Sequence, residues 1–172
     1  MTNLNKIESK ILSLVEVQDK IKAIQQKGSK VVFTNGCFDI LHRGHVTYLA
    51  KAADQGDVLV VAVNNDASVK RQGKGSDRPI NKESSRALLI ASLSFVDYVV
   101  VFDEDTPFKL IEFLKPDVLV KGADYDADEK NINSKKYIVG SDIVIENGGT
   151  VKTIDLERGY STTSLVEKIK KG

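Results

Sequence analysis

The sequence predicts an α/β domain, a single doubly wound parallel sheet with helices on both faces. Three observations predict it. Several short runs are almost continuously apolar and β-branched, as strands buried on both faces are. Between them lie segments whose apolar residues recur at helical spacing. That strict alternation, with right-handed crossovers, winds helices over both faces of one parallel sheet.

The elements follow in order. Residues 1–28 read as a helical lead-in: Ile7, Ile11 and Leu14, then Val17, Ile21 and Ile24, fall at helical spacing among polar residues, and Gly28 ends the segment. The main domain is expected over 29–172. Residues 30–34 (KVVFT) form the first strand, followed by the tight segment NGCFDILHRGH. Val46, Leu49, Ala50 and Ala53 make the inner stripe of a helix that stops at Gly56. Residues 57–63 (DVLVVAV) are the second strand, 82–94 an apolar helix and 97–102 (DYVVVF) the third strand. Asp105 or Thr106 can cap the next helix, Pro107 suits its first turn, and Leu110, Ile111 and Leu114 continue its buried face. Residues 117–120 (DVLV) and Thr150–Ile154 supply the fourth and fifth strands. A last helix is expected from Ser164, with Glu167 completing a capping box. Within 122–149, DYDADEKNINSKK reads as loop, and SDIVIENGG fits helix or strand equally.

Composition excludes several classes. The 172 residues carry 25 Lys+Arg against 24 Asp+Glu, a net charge of +1, which gives no global pull toward nucleic acid or an anionic membrane. One cysteine, Cys37, excludes an internal disulfide and a Cys-rich zinc module. No apolar run approaches the ~20 residues of a membrane helix. The polar N-terminus MTNLNKIESK lacks a signal-peptide core, so a cytoplasmic protein is expected. The apolar stretch 87–96 (ALLIASLSFV) exceeds one buried face. Either two-sided burial or an interface in a homo-oligomer accounts for it.

In an open parallel sheet, ligands bind beyond the carboxyl ends of the strands. Those ends carry Thr34-Asn35-Gly36, Asn64-Asn65-Asp66 and Lys121-Gly122, and the fifth strand leads to Arg158-Gly159-Tyr160-Ser161-Thr162-Thr163. All are small, polar or basic, which suits phosphate and hydroxyl groups. The sharpest signal is His42-Arg43-Gly44-His45, which holds both histidines of the chain at the start of a helix. A helix N-terminus favours phosphate, imidazoles at i and i+3 add donors, and Gly44 lets an anion approach the backbone. A polar turn with one histidine as cap is the plainer reading. A metal site from Cys37, Asp39, His42 and His45 is a third, though its spacing matches no common zinc pattern. Gln72-Gly73-Lys74-Gly75-Ser76 resembles part of a P-loop, but that pattern needs Gly at 68 and Ser or Thr at 75, where Ser68 and Gly75 stand. With Lys70, Arg71 and Arg78 it reads as a basic loop, either solvated or closing over a polyphosphate. Cys37 reads as a small residue packed beneath the turn.

TNGCFDILHRGH resembles the signature of the HxGH nucleotidyltransferase superfamily. VAVNNDASVKR, GSDRPIN, VDYVVVFDEDTP, PDVLVKGADY, ENGGTV and GYSTTS, in that order, resemble the adenylyltransferases of bacterial ADP-heptose synthesis, over roughly residues 28 to 170. Two departures stand out: QGKGSDRP replaces the usual LKGxxRP, which leaves Lys74 without an assigned role, and VKGADY replaces VKGGDY. The resemblance implies a Rossmann-like nucleotidyltransferase fold and transfer of AMP from ATP to D-glycero-β-D-manno-heptose 1-phosphate, for the lipopolysaccharide core. It further implies a stand-alone form served by a separate heptose kinase, with Mg²⁺ held mainly by the ATP phosphates and no protein ligand named. His42, His45 and Lys121 would act on the phosphates. Thr34, Asn35, Gly36, Phe38, Asp39, Gly44, Asn64, Arg78, Gly122, Ser161, Thr162 and Thr163 would line the nucleotide site. A cytidylyltransferase for glycerol phosphate or a similar phospho-alcohol, and a non-catalytic nucleotide sensor, are the alternatives.

Overall fold

The structure, a computed structural model, describes residues 1–73, 75 and 77–171. In chain order it contains α1 (Asn3–Glu8), α2 (Leu14–Gln25), β1 (Val31–Gly36), α3 (Arg43–Ala53), β2 (Val58–Asn64), α4 (Asp66–Arg71), α5 (Glu83–Ala91), β3 (Tyr98–Phe102), α6 (Phe108–Leu114), β4 (Val118–Gly122), α7 (Ser141–Glu146), β5 (Thr150–Ile154) and α8 (Thr162–Lys170). The five strands form one all-parallel sheet in the order β3-β2-β1-β4-β5. The period-2 geometry of a strand explains the apolar runs. Val32, Val61 and Val99 pack on one face with Leu49, Ala52 and Ile90 of α3 and α5. Val31, Phe33, Val60 and Leu119 pack on the other with residues of α2, α6 and α7.

The chain enters the sheet at its centre, β1, runs outward through β2 and β3, then returns to β4 and β5. The order in which strands are added therefore reverses between β1 and β4, and the crevice beyond their carboxyl ends is where such a sheet takes its ligand.

The lead-in is two helices rather than one. Ser13 caps α2 through a capping box with Glu16, and Val17 and Ile21 of α2 are fully buried. The segment between them covers the free edge of β3: Leu12 N–H donates to the Val99 carbonyl (2.9 Å), and Val99 N–H donates to that of Lys10 (2.9 Å). Deleting residues 1–28 is expected to cost about 3–6 kcal/mol, two buried aliphatic side chains at roughly 1.5–3 kcal/mol each. Urea unfolding measures this, and a midpoint equal to that of the full chain contradicts it.

Several boundaries differ from expectation. Pro107 itself occupies the cap position of α6 and no side chain caps that helix; Asp105 is instead engaged by Arg71. α8 starts at Thr162, because Ser161 is extended and accepts from Ser164 N–H (3.0 Å), so Ser164 is already inside the helix and its box with Glu167 does not cap it. SDIVIENGG contains α7, and α4 was not foreseen. Within 87–96, Ala87, Ile90, Ala91 and Val96 are buried in the chain's own core. Two-sided burial accounts for those four residues, while Leu89 is exposed. Among the described residues no helix is long and apolar enough to cross a membrane.

Candidate active site

The turn after β1 builds the floor of a cleft. Phe38 adopts φ 48°, a left-handed conformation that costs a non-glycine residue about 1–2 kcal/mol. Its neighbour Asp39 is buried and accepts from the Arg78 guanidinium, from Ile80 N–H (2.8 Å) and from Asn81 N–H (2.9 Å). Burial pushes the Asp39 carboxyl up, but these donors outweigh it and hold the pKa below the ordinary carboxylate value. Asp39 and Arg78 therefore pin the turn and do not line the cleft. Replacing Asp39 by Ala leaves Arg78 buried without its counter-charge and is expected to destabilise the fold by about 3–5 kcal/mol. Chemical denaturation at pH 7 checks this, and a loss under about 1 kcal/mol contradicts the pinning role.

One wall is the N-terminus of α3. His42 is its cap, and the His42 Nδ1 accepts from His45 N–H (3.3 Å). That bond leaves the ring's proton on Nε2 in the neutral form. The two imidazoles stack with centroids 3.7 Å apart and planes 17° from parallel, and the Phe38 ring meets His45 edge-on at 5.3 Å. The capping reading and the ligand-facing reading are thus compatible, since the cap histidine also lines the cleft. Burial lowers the His42 pKa. For His45, burial and then the adjacent His42 imidazole bring it to about 4, so both rings are neutral donors at neutral pH. Gly44 leaves no room for a side chain: a Cβ there would lie 3.0 Å from the Cβ of Tyr160 and 3.1 Å from the His42 ring.

Lys121 stands on the opposite wall, at the carboxyl end of β4. Its ammonium donates to the Asn35 side chain from β1, across the point where strand order reverses, and lies 5.8 Å from the centre of the Tyr125 ring. Burial lowers its pKa to about 8, against the opposing charge of Asp124. Among the described residues it makes no salt bridge. The third wall is the segment leading to α8. Tyr160 stacks over His42 at 6.5 Å and lies under the Arg43 guanidinium, which pairs with Glu157 at 2.7 Å.

The cleft measures about 520 Å³, within the range of small-molecule sites. Asn35, Gly36, Phe38, His42, Gly44 and His45 line it from one side. Asn64, Lys121, Gly122, Ser161 and Thr162 line it from the others. Four expected residues do not. Thr34 is fully buried, sharing a hydrogen bond with the Tyr48 hydroxyl (2.8 Å); Asp39 and Arg78 are paired as described; Thr163 is exposed on α8. Asn64 reaches the cleft, yet its amide donates to Ser68 Oγ (2.9 Å), while Asn65 caps α4. Cys37 lines the cleft rather than lying beneath the turn. In the basic loop, Arg71 pairs with Asp103 and Asp105, and Lys74 and Ser76 lie outside the described residues. Sequence reasoning gave no role to Asp124, Tyr125 or Tyr160, although all three stand inside the motifs KGADY and GYSTTS. Among the described residues no group of three or more His, Cys, Asp or Glu side chains is arranged to hold a metal ion, so the Cys37–Asp39–His42–His45 set does not form a metal centre.

Residues 33–168 match the cytidylyltransferase-like family. The bifunctional protein HldE of Campylobacter jejuni subsp. doylei is 51% identical over 170 residues, covering 95% of this chain and 34% of that protein. HldE of Helicobacter pylori (strain Shi470) is 52% identical over 168 residues, covering 98% and 33%. The chain thus spans about a third of the length of the curated relatives it matches. Among solved structures, the lipopolysaccharide core biosynthesis protein of Thermoplasma volcanium GSS1 is 32% identical with a TM-score of 0.57, covering 78% of this chain and all of that one. Pantoate-beta-alanine ligase of Francisella tularensis shares the fold at 15% identity, with a TM-score of 0.58 over 94% of this chain and 78% of that one.

Proposed function

This chain belongs to the cytidylyltransferase-like family, and from that premise we propose that it is an adenylyltransferase that moves AMP from ATP to D-glycero-β-D-manno-heptose 1-phosphate. The products are ADP-heptose and pyrophosphate. The observation that carries the reading is the pair of stacked imidazoles at the N-terminus of α3, facing a partly buried lysine across the reversal of strand order. The likeness to HldE over nearly the whole chain, and to a lipopolysaccharide core biosynthesis protein, supports the choice of acceptor.

A phosphate oxygen of the sugar phosphate, ionised at neutral pH, attacks the α-phosphorus. A new P–O bond forms, the bond to the bridging oxygen of the β-phosphate breaks, and pyrophosphate leaves with that electron pair. No general base is needed, so catalysis is positioning and charge stabilisation. His42 and His45 donate hydrogen bonds to the phosphates, the N–H groups of the first turn of α3 add to them, and Lys121 neutralises charge from the far wall. Asn35 holds Lys121 in place. Ser161 and Thr162, at the start of α8, are placed to donate to a terminal phosphate. Mg²⁺ is read as travelling on the triphosphate, as it usually does, and no step is routed through a protein-held ion.

The acceptor must come from a reaction that phosphorylates the anomeric hydroxyl of the heptose, which is the work of a sugar kinase. A coupled pyrophosphate-release assay with ATP or CTP, each with heptose 1-phosphate or glycerol 3-phosphate, tests the assignment. Release only with ATP and heptose 1-phosphate is expected. Release only with CTP and glycerol 3-phosphate makes the chain a cytidylyltransferase, and nucleotide binding without release makes it a sensor.

A further inference from the structure

Arg86 is the bulkiest fully buried side chain among the described residues. It projects from α5, outside the cleft lining, and its guanidinium reaches three separate segments. Nε donates to the Asn81 carbonyl (2.9 Å), Nη1 to the Cys37 carbonyl (2.6 Å) and Nη2 to the Asp66 carboxylate (2.8 Å). Taking such a cation out of water costs several kcal/mol, and a well-packed apolar group of the same volume often serves stability as well or better. Core packing alone therefore does not account for an arginine here. What no aliphatic side chain can do is grip a backbone carbonyl, and the carbonyl gripped belongs to the turn that floors the cleft.

Cys37 immediately precedes Phe38, whose left-handed backbone brings its ring against His45. On the other side of Phe38, Asp39 is held by Arg78 and by the N–H groups of Ile80 and Asn81. The strained residue is thus tied fore and aft to the segment from Arg78 to Arg86. We propose that Arg86 is a positioning residue for the transfer reaction: by fixing the Cys37 carbonyl it keeps Phe38 in the left-handed conformation and so sets His45 against His42. This rests on the reading of the two histidines as the phosphate-holding pair. A lysine in its place retains the charge and loses the planar fork that reaches three acceptors at once.

The test uses Arg86→Lys in the full chain, with two readouts. In the ligand-free protein, the ring-proton NMR resonances of the two histidines, the only two in the sequence, report their geometry. Those of His45 carry the ring current of Phe38, and they are expected to move toward free-histidine values. In steady-state kinetics, kcat is expected to fall about 100-fold with a much smaller change in KM, the cost of an ångström-scale misplacement. The double variant Arg86→Gln/Asp66→Asn removes both charges together and leaves no unpaired buried ion, so it serves where the lysine variant does not fold. A folded variant with wild-type histidine resonances and wild-type kcat overturns the proposal. An inactive wild-type protein overturns the transferase reading instead, and the resonances then judge Arg86 alone.

Discussion

Replacing His45 by alanine is expected to lower turnover by about 100- to 1,000-fold, the usual cost of removing one preorganised donor to developing phosphate charge. The same variant is expected to lose less than about 2 kcal/mol of stability at pH 7, because His45 is only partly buried and is neutral there. Its effect on acid stability runs the opposite way. The folded-state pKa of about 4 lies below the ordinary histidine value of 6.5, so between those values the unfolded chain binds more protons than the folded one. Stability therefore falls as pH drops from 6.5 to 4, by about 2 kcal/mol at pH 5 from this residue. The variant lacks that loss. Kinetics at pH 7 and urea unfolding at pH 7 and pH 5 check both halves. A variant that unfolds at pH 7, or keeps wild-type turnover, contradicts the assigned role.

Lys121→Met is expected to separate function from stability more sharply. Methionine approximates the length of the lysine stem, but the cation that faces the phosphates is gone, and turnover is expected to fall at least about 100-fold. Stability is expected to rise. Burial holds the lysine pKa at about 8, against 10.5 for the free side chain, so at neutral pH the folded protein carries a charge it would rather shed. The penalty is up to about 3 kcal/mol, at 1.36 kcal/mol for each pKa unit. The Asn35 carbonyl left without its donor offsets part of it, so a net gain of about 1–2 kcal/mol is expected at pH 7. The sign can be checked independently. The wild-type protein gains stability as pH rises from 8 toward 10.5, because only the unfolded lysine still holds its proton, and the methionine variant does not. The same titration weakens nucleotide binding by the wild-type protein above about pH 8. A methionine variant that is less stable than wild type, with turnover reduced only in proportion to the folded fraction, contradicts the account.

The strands are legible in the sequence because a parallel strand covered on both faces leaves an unbroken apolar run. Residues 57–63 match β2 within a residue at each end for that reason, whereas β5, TVKTI, is a mostly exposed edge strand with no such run. The histidine pair, Lys121 and the Ser161-Thr162 segment are legible because a parallel sheet places its ligand at the carboxyl ends of its strands. What is not legible depends on contacts far apart in the chain. Asp39 and Arg78 both look like ligand-facing polar residues until the fold brings them together, 39 positions apart, as a buried pair. Thr34 is polar and follows an apolar run, yet its hydroxyl is taken by Tyr48. Arg71 reads as a free cation until Asp103 and Asp105 arrive beside it. Tyr160 covers His42 only because the segment after β5 folds back over α3, a path that no local pattern encodes. Misplaced helix ends have a local cause: Ser161 and Ser164 are both good caps, and backbone conformation rather than residue type selects the first.

The most direct measurement is ³¹P NMR of the complete reaction with ATP, Mg²⁺ and heptose 1-phosphate carrying ¹⁸O on its non-bridging phosphate oxygens. Attack of the sugar phosphate on the α-phosphorus predicts ADP-heptose with ¹⁸O in the bridge between its two phosphates, and unlabelled pyrophosphate. Formation of no ADP-heptose, or of ADP-heptose whose bridging oxygen is unlabelled, would contradict the transfer assigned to this cleft.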